Sequence, residues 1–405
     1  MHKLLFLLLL LPTYFVQTSY WTKDNIKHKA VVIVPVADVA TKSLAFLAGD
    51  QPVEHAYTFS CSPETGPHSC ARVAQLLFNE VVEIQQDLGD EVLCKVNNFF
   101  YEGPLCAKIN TFCIVKKHLR PLEQQPIEAI PQPYTQDFIQ VLPADNLIIL
   151  TLPWKDPITR QVYSVGTRFI HVPTHDNQDS YGVSINYIAD TQTKTVITHI
   201  PHTMSVRGYP ATKKEQVTRF VTAVRKWALA FNIIAYIWGG CSLTKTYTDG
   251  AFSLASIKRA NNDEITCWIR PEHTQPHSGF DCSGLVLRAA QIAGLPYFFK
   301  NTTTLSRNLP ELTNIQDLTN GDLLFYEGHV MIVSDITNNE IIEAAGYGSG
   351  YGKVHAIKLS QAFGNTVDYS DLLALYRNTL PLKRLKAQGL FSREIPSFKL
   401  LALTK

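Results

Sequence analysis

Three residues far apart in the chain could together do nucleophilic chemistry. Cys282 lies in "SGFDCSGLVLRAAQIAGL", between Asp281 and Ser283 and just before an apolar helical pattern. A thiolate is the nucleophile, and an ordinary thiol with a pKa of about 8.5 is mostly protonated at neutral pH. The first turn of a helix offers unpaired backbone N–H groups and partial positive charge, which favour the sulfur anion. A neighbouring N–H can also face a developing oxyanion. Such a thiol needs a general base, for which histidine is the usual choice. Among thirteen histidines, His329 opens a strand directly after the turn in "YEGHV". The next strand pattern, "NEIIEAAG", returns antiparallel and brings Glu343 back towards His329, where a carboxylate can orient an imidazole. His355, beyond the glycine-rich "GYGSGYGK", competes with Glu343 as the third member. Singly, each has an ordinary explanation: a buried structural cysteine, a strand-end histidine, a solvated acid. Together, in the order Cys, His, Glu over helix, strand, strand, they point to cysteine-dependent catalysis.

The elements that must hold these groups are legible as periodicity. Leu285, Val286, Ala289, Ala290, Ile292 and Ala293 form the buried stripe of a helix that Gly294-Leu295-Pro296 ends. Upstream, Val217, Phe220, Val221, Val224, Trp227 and Ala228 mark a second amphipathic helix. "NGDLLFY", "HVMIVSDI", "NEIIEAAG" and "LLALYRN" read as successive strands, so residues 211–380 are expected to be an α+β domain. Ahead of it, 30–120 and 134–205 alternate in β fashion and are expected to be two small all-β domains. "PLEQQPIEAIPQP" (121–133), with four prolines, reads as their linker. The basic tail, 381–405, reads as a solvated extension packing on the body.

Composition bounds the function. The chain has 405 residues, 45% hydrophobic and 18% charged, with a formal net charge of +2, which argues against a nucleic-acid binder driven by a basic surface. "MHKLLFLLLLLPTYFVQTSYW" has the build of a secretory signal, taken as residues 1–19. No later apolar run is long enough to span a bilayer, so no stable membrane insertion is expected after its removal. An exported chain favours disulfides. Of the eight cysteines, Cys61 with Cys70 and Cys241 with Cys267 are the near-neighbour pairs, and spacing alone leaves connectivity open. No metal-ligand spacing is present, and no cofactor is expected.

"FDCSGL", "NGDLLFY", "HVMIV" and "IIEAAG", with "YIWGG" at 236–240, resemble the signature blocks of the NlpC/P60 family of cell-wall cysteine peptidases. The resemblance covers about 211–380. It implies a papain-like α+β catalytic domain with rearranged chain order, Cys282 as nucleophile, His329 as base and Glu343 in a position often held by histidine. "ARVAQLLFNEVVEIQQDLGDEVLCKV" resembles bacterial SH3-like domains more weakly, which extends that expectation to both β domains. In similar proteins with SH3-like domains ahead of the peptidase, the positions of Asp281 and Ser283 hold the free amino group of an N-terminal L-Ala, and Tyr236 lies beside the cysteine. The implied activity is exported hydrolysis of the γ-D-Glu to diamino acid bond in peptidoglycan stem peptides. The rivals are remodelling of intact cross-linked wall and non-catalytic wall binding. One departure stands out: nearly forty residues, 241–279, separate Trp-Gly-Gly from Asp-Cys.

Overall fold

The computed structural model describes residues 28–45, 72–103, 107–134, 146–189, 192–229, 233–246, 253–258, 264–269, 278–312 and 314–404. The signal-like segment and the pair Cys61 and Cys70 lie outside the described residues. No described helix is long and apolar enough to cross a membrane.

Two antiparallel sheets come first. The first orders its strands as 72–77, 36–40, 111–115, 91–96, 81–87, 29–32 and 119–121. Alternation explains its inner face: Val92, Cys94 and Val96 have no exposed surface, whereas Leu93 and Lys95 between them are part-exposed. The second sheet orders 192–201, 180–189, 168–171, 147–150 and 205–207. The Pro-rich segment between the sheets is pinned down rather than solvated. Asn186 donates to Pro126 O at 3.0 Å, Arg168 donates to Gln132 O at 3.0 Å, and Ala129 is fully buried.

The C-terminal half starts with α1, Lys213–Leu229, and α2, Cys282–Ala293. A five-stranded antiparallel sheet follows, built from β1 (Leu323–Tyr326), β2 (His329–Asp335), β3 (Glu340–Ala345), β4 (Lys353–Lys358) and β5 (Lys399–Leu401). Its order is β4-β3-β2-β1-β5. The stripe expected for α2 is buried, but so is every other residue of the helix. Its far side meets the first N-terminal sheet. There the Arg288 guanidinium donates to Cys241 O at 2.8 Å and Gln291 Oε1 at 2.9 Å and pairs with Glu80 at 3.3 Å. One hydrophobic core runs from that sheet through α2 and α1 to β2 and β3.

This close approach explains the glycines around "YIWGG" and "DCSG". A Cβ on Gly284 would stand 2.0 Å from Gly240 O, and Gly239, at φ +69°, would bring one 2.6 Å from Arg72 O. Backbone cannot yield as a flexible side chain can. Gly284→Ala is therefore expected to cost at least the 1–3 kcal/mol, roughly, of an overpacked core site, seen as a lower Tm by calorimetry.

Three sequence expectations are corrected. "LLALYRN" belongs to a helix, α3, Tyr369–Arg377, capped by Asp368, which accepts from Asp371 N at 2.9 Å. Tyr369 and Leu372, three apart, are its buried side, a helical spacing that a seven-residue window hid. The basic tail is not a solvated extension. Residues 382–385 and 391–395 form a hairpin, and β5 pairs with β1 as the edge of the five-stranded sheet. Its charges sit beside fully buried Leu382, Leu400 and Leu401. Cys241 is not bridged to Cys267. Its thiol is free and buried, donating to Gln75 O at 3.1 Å and accepting from Gln75 N at 3.2 Å. The 241–279 insertion is closed instead by a ladder between 241–242 and 279–280. Within it, a hairpin of Ser253–Lys258 with Glu264–Ile269 comes close to the turn at Tyr347–Ser349, before β4.

Candidate active site

Four free cysteines are described: Cys94, Cys113, Cys241 and Cys282. Burial pushes the thiols of Cys94, Cys113 and Cys241 up, Cys113 to about 11. They are inert core groups. Cys282 differs in position: it is the first residue of α2, directly after the N-cap. Asp281 is that cap, its Oδ1 accepting from Gly284 N at 2.6 Å. Gly294, at φ +76°, ends the helix in the left-handed conformation that glycine adopts without strain. One helix, locally encoded at both ends, fixes the sulfur.

His329 opens β2 after a two-residue turn, with Gly328 at φ +83° and Tyr326 as its cross-strand partner. Its ring lies near enough to Cys282 for the sulfur to act on its protonation. Nε2 meets Glu343 Oε2 at 2.6 Å, which leaves Nδ1 as the nitrogen for the sulfur. Burial works against charge on this ring. Tyr326 beside it, the hydrogen bonds with Cys282 and Glu343, and the charge of the sulfur outweigh burial and hold His329 well above its ordinary range. The imidazolium is the favoured form.

Glu343 stands between two histidines and is 1% exposed. Its Oε1 accepts from His355 Nε2 at 3.1 Å and from Arg384 Nη2 at 2.6 Å. Burial alone would raise this carboxyl, but the Arg384 guanidinium, His329 and His355 hold it well below the usual carboxylate range. Burial pushes His355 below its ordinary value despite Glu343, so it serves as a neutral donor. Glu343 touches His329, and His355 touches Glu343 from the neighbouring strand β4.

Asp281, Ser283 and Tyr236 are also drawn to this end of α2. Ser283 Oγ donates to Asp281 Oδ1 at 2.9 Å. Tyr236 is bridged to Phe280, two residues before the cysteine, and its ring lies against Gly346 at the end of β3.

Three residues here were absent from the sequence reading. Lys300 Nζ pairs with Asp281 Oδ2 at 2.5 Å and is 1% exposed. Tyr297 is buried with no hydrogen-bond partner on its hydroxyl; burial, then Cys282 and Asp281 nearby, push that phenol well above its usual range. Arg384 comes from the tail that was set outside the domain. No motif marked any of them. A buried lysine or arginine in an apolar run is a weak sign by itself, and "FFKN" and "LKRL" read as ordinary surface charge.

No family model matches the sequence, and no curated protein matches it. Among solved structures, an NlpC/P60 family protein from Bacillus cereus ATCC 10987 aligns over 85% of this chain and 96% of its own, with a TM-score of 0.51 and 16% identity. NlpC2 from Trichomonas vaginalis aligns over 82% of this chain and 92% of its own, with a TM-score of 0.31 and 12% identity. The peptidoglycan hydrolase RipB from Mycobacterium tuberculosis aligns over 36% of this chain and 62% of its own, with a TM-score of 0.24 and 22% identity. At 85% of this chain, the Bacillus alignment extends beyond the C-terminal half. In its fold, this chain is similar to the NlpC/P60 family protein from Bacillus cereus.

Proposed function

We propose that this protein is an exported cysteine endopeptidase that hydrolyses the γ-D-Glu to diamino acid bond of peptidoglycan stem peptides. One observation carries the reading: Cys282 at a helix mouth acts on the protonation of His329, whose Nε2 meets buried Glu343 at 2.6 Å. The Cys282 sulfur attacks the scissile carbonyl carbon, and backbone N–H groups at the start of α2 face the resulting oxyanion. The C–N bond breaks as the His329 imidazolium gives its proton to the departing amine, leaving a thioester. Neutral His329 then takes a proton from water, whose oxygen displaces the sulfur and releases the γ-carboxylate. Glu343 holds the imidazole ring and compensates its charge. Tyr236, Asp281 and Ser283 line the substrate side of the nucleophile.

A free L-Ala amino group is no longer required as the partner of Asp281 and Ser283, because the Lys300 ammonium already sits on that carboxylate.

The test is a stem tripeptide, L-Ala-γ-D-Glu-L-Lys, offered amino-free and N-acetylated in separate reactions and followed by mass spectrometry. Release of L-lysine, blocked by prior alkylation with iodoacetamide, is the expected result. Cleavage at another bond, or cleavage that survives alkylation, rejects the assignment.

A further inference from the structure

Asp281 precedes the nucleophile, and a lone carboxylate there would select a cationic group on the substrate. It is not alone. Lys300 Nζ donates to Asp281 Oδ2 at 2.5 Å and to Ser283 Oγ at 3.2 Å. Asp281 Oδ1 is taken by Ser283 Oγ at 2.9 Å and Gly284 N at 2.6 Å, and Asn301 N donates to Ser283 Oγ at 3.3 Å. The lysine is held in place by its backbone. Lys300 N donates to Phe100 O at 3.1 Å, and Phe100 N donates to Phe298 O at 2.9 Å, so a bridge to Phe100, just after the strand 91–96, fixes the segment that carries the ammonium. A long flexible side chain that is 1% exposed, on a pinned backbone, is a permanent occupant of this position.

We infer that Lys300 acts as an internal counter-ion that closes this subsite to charged amino termini, so that the enzyme takes stem peptides whose amino terminus is acylated. The inference rests on the proposed function, which places the L-Ala nitrogen two residues from the scissile bond and hence within reach of the groups flanking Cys282. A free α-ammonium arriving there meets a satisfied carboxylate and a second cation, and loses its water without gaining a partner. An amide nitrogen carries no charge to desolvate. The chemistry selected is that of a stem peptide still joined through an amide to a larger acid, as in intact wall or its muropeptide fragments. A trimmed, amino-free peptide is disfavoured.

The experiment compares kcat/KM on L-Ala-γ-D-Glu-L-Lys and its N-acetyl form, for the full chain and for Lys300→Met. The wild type is expected to favour the acetylated form by tenfold or more at pH 7. Lys300→Met frees the Asp281 carboxylate and is expected to move the ratio tenfold or more towards the free amine. Should that variant not fold, the wild-type pH profile decides. As the α-amino group loses its proton near pH 8, approximately, the free-amine substrate should gain on the acetylated one. A wild-type preference for the free amine, or a ratio that neither the substitution nor pH moves, overturns the inference and leaves the proposed function standing. No hydrolysis of either substrate rejects both.

Discussion

Cys282→Ala is expected to leave a folded protein whose hydrolysis of either stem tripeptide is lost by roughly five to six orders of magnitude, the scale seen when a triad loses its nucleophile. The step removed has no substitute in Cys94, Cys113 or Cys241. Cys94, Cys113 and Cys241 are buried in the sheet and its interface with α2, with burial pushing each thiol up. The fold should persist, because alanine suits the first turn of a helix and the cap at Asp281 is untouched. Mass spectrometry of the products, beside a melting curve within a few degrees of the wild type, checks both halves. Undiminished turnover with a native melting curve would remove the mechanism altogether.

The second large effect is at Glu343. Truncation to alanine leaves the Arg384 guanidinium, itself 4% exposed, without its counter-charge and is expected to cost about 3–5 kcal/mol, as breaking a buried pair does. Glu343→Gln keeps the shape and removes only charge, so it separates stability from chemistry. In the wild type the raised His329 holds its proton beyond the ordinary imidazole range. Without the carboxylate, the alkaline limb of kcat/KM should move to lower pH by about 1–3 units, the scale of a close opposite charge. The stability sign follows from the direction of each shift. The Glu343 pKa is depressed on folding, so its contribution is present above the unfolded carboxyl range and is lost as pH falls through the folded value. The wild-type Tm should therefore fall on acidification more steeply than that of Glu343→Gln. His329 is raised, so its contribution is full below the unfolded imidazole range and fades as pH climbs through the folded value. A pH–rate profile identical in Glu343→Gln and wild type would show that this carboxylate does not govern the base.

Much of this site was legible because it is local. Cys282 at a helix start follows from Asp281 before it and Gly294 after it, within one stretch of chain. The return of Glu343 to His329 follows from a short hairpin whose turn the sequence places at Thr337 to Glu340 and the structure one residue earlier, at Ile336 to Asn339. The choice between Glu343 and His355 was left open by the sequence, because cross-strand neighbours depend on register. The register places His355 opposite Glu343, so the two form one network. The reading of "LLALYRN" as a strand failed because seven residues are too few to tell the two periods apart. The proposed bridge between Cys241 and Cys267 failed because proximity in sequence carries no information about which strand a thiol faces.

The sequence alone therefore determined where the candidate nucleophile, the candidate base and its carboxylate partner sit on their own helix and strands, since caps, turns and alternation act over a few residues. Only the tertiary structure decided what surrounds them. Lys300 on Asp281 and Arg384 on Glu343 join residues 19 and 41 positions apart. The far side of α2 is buried by a sheet formed nearly two hundred residues earlier in the chain. These choices rest on the cost of burying charge, which is paid or relieved only when distant segments meet, and no local pattern records that meeting.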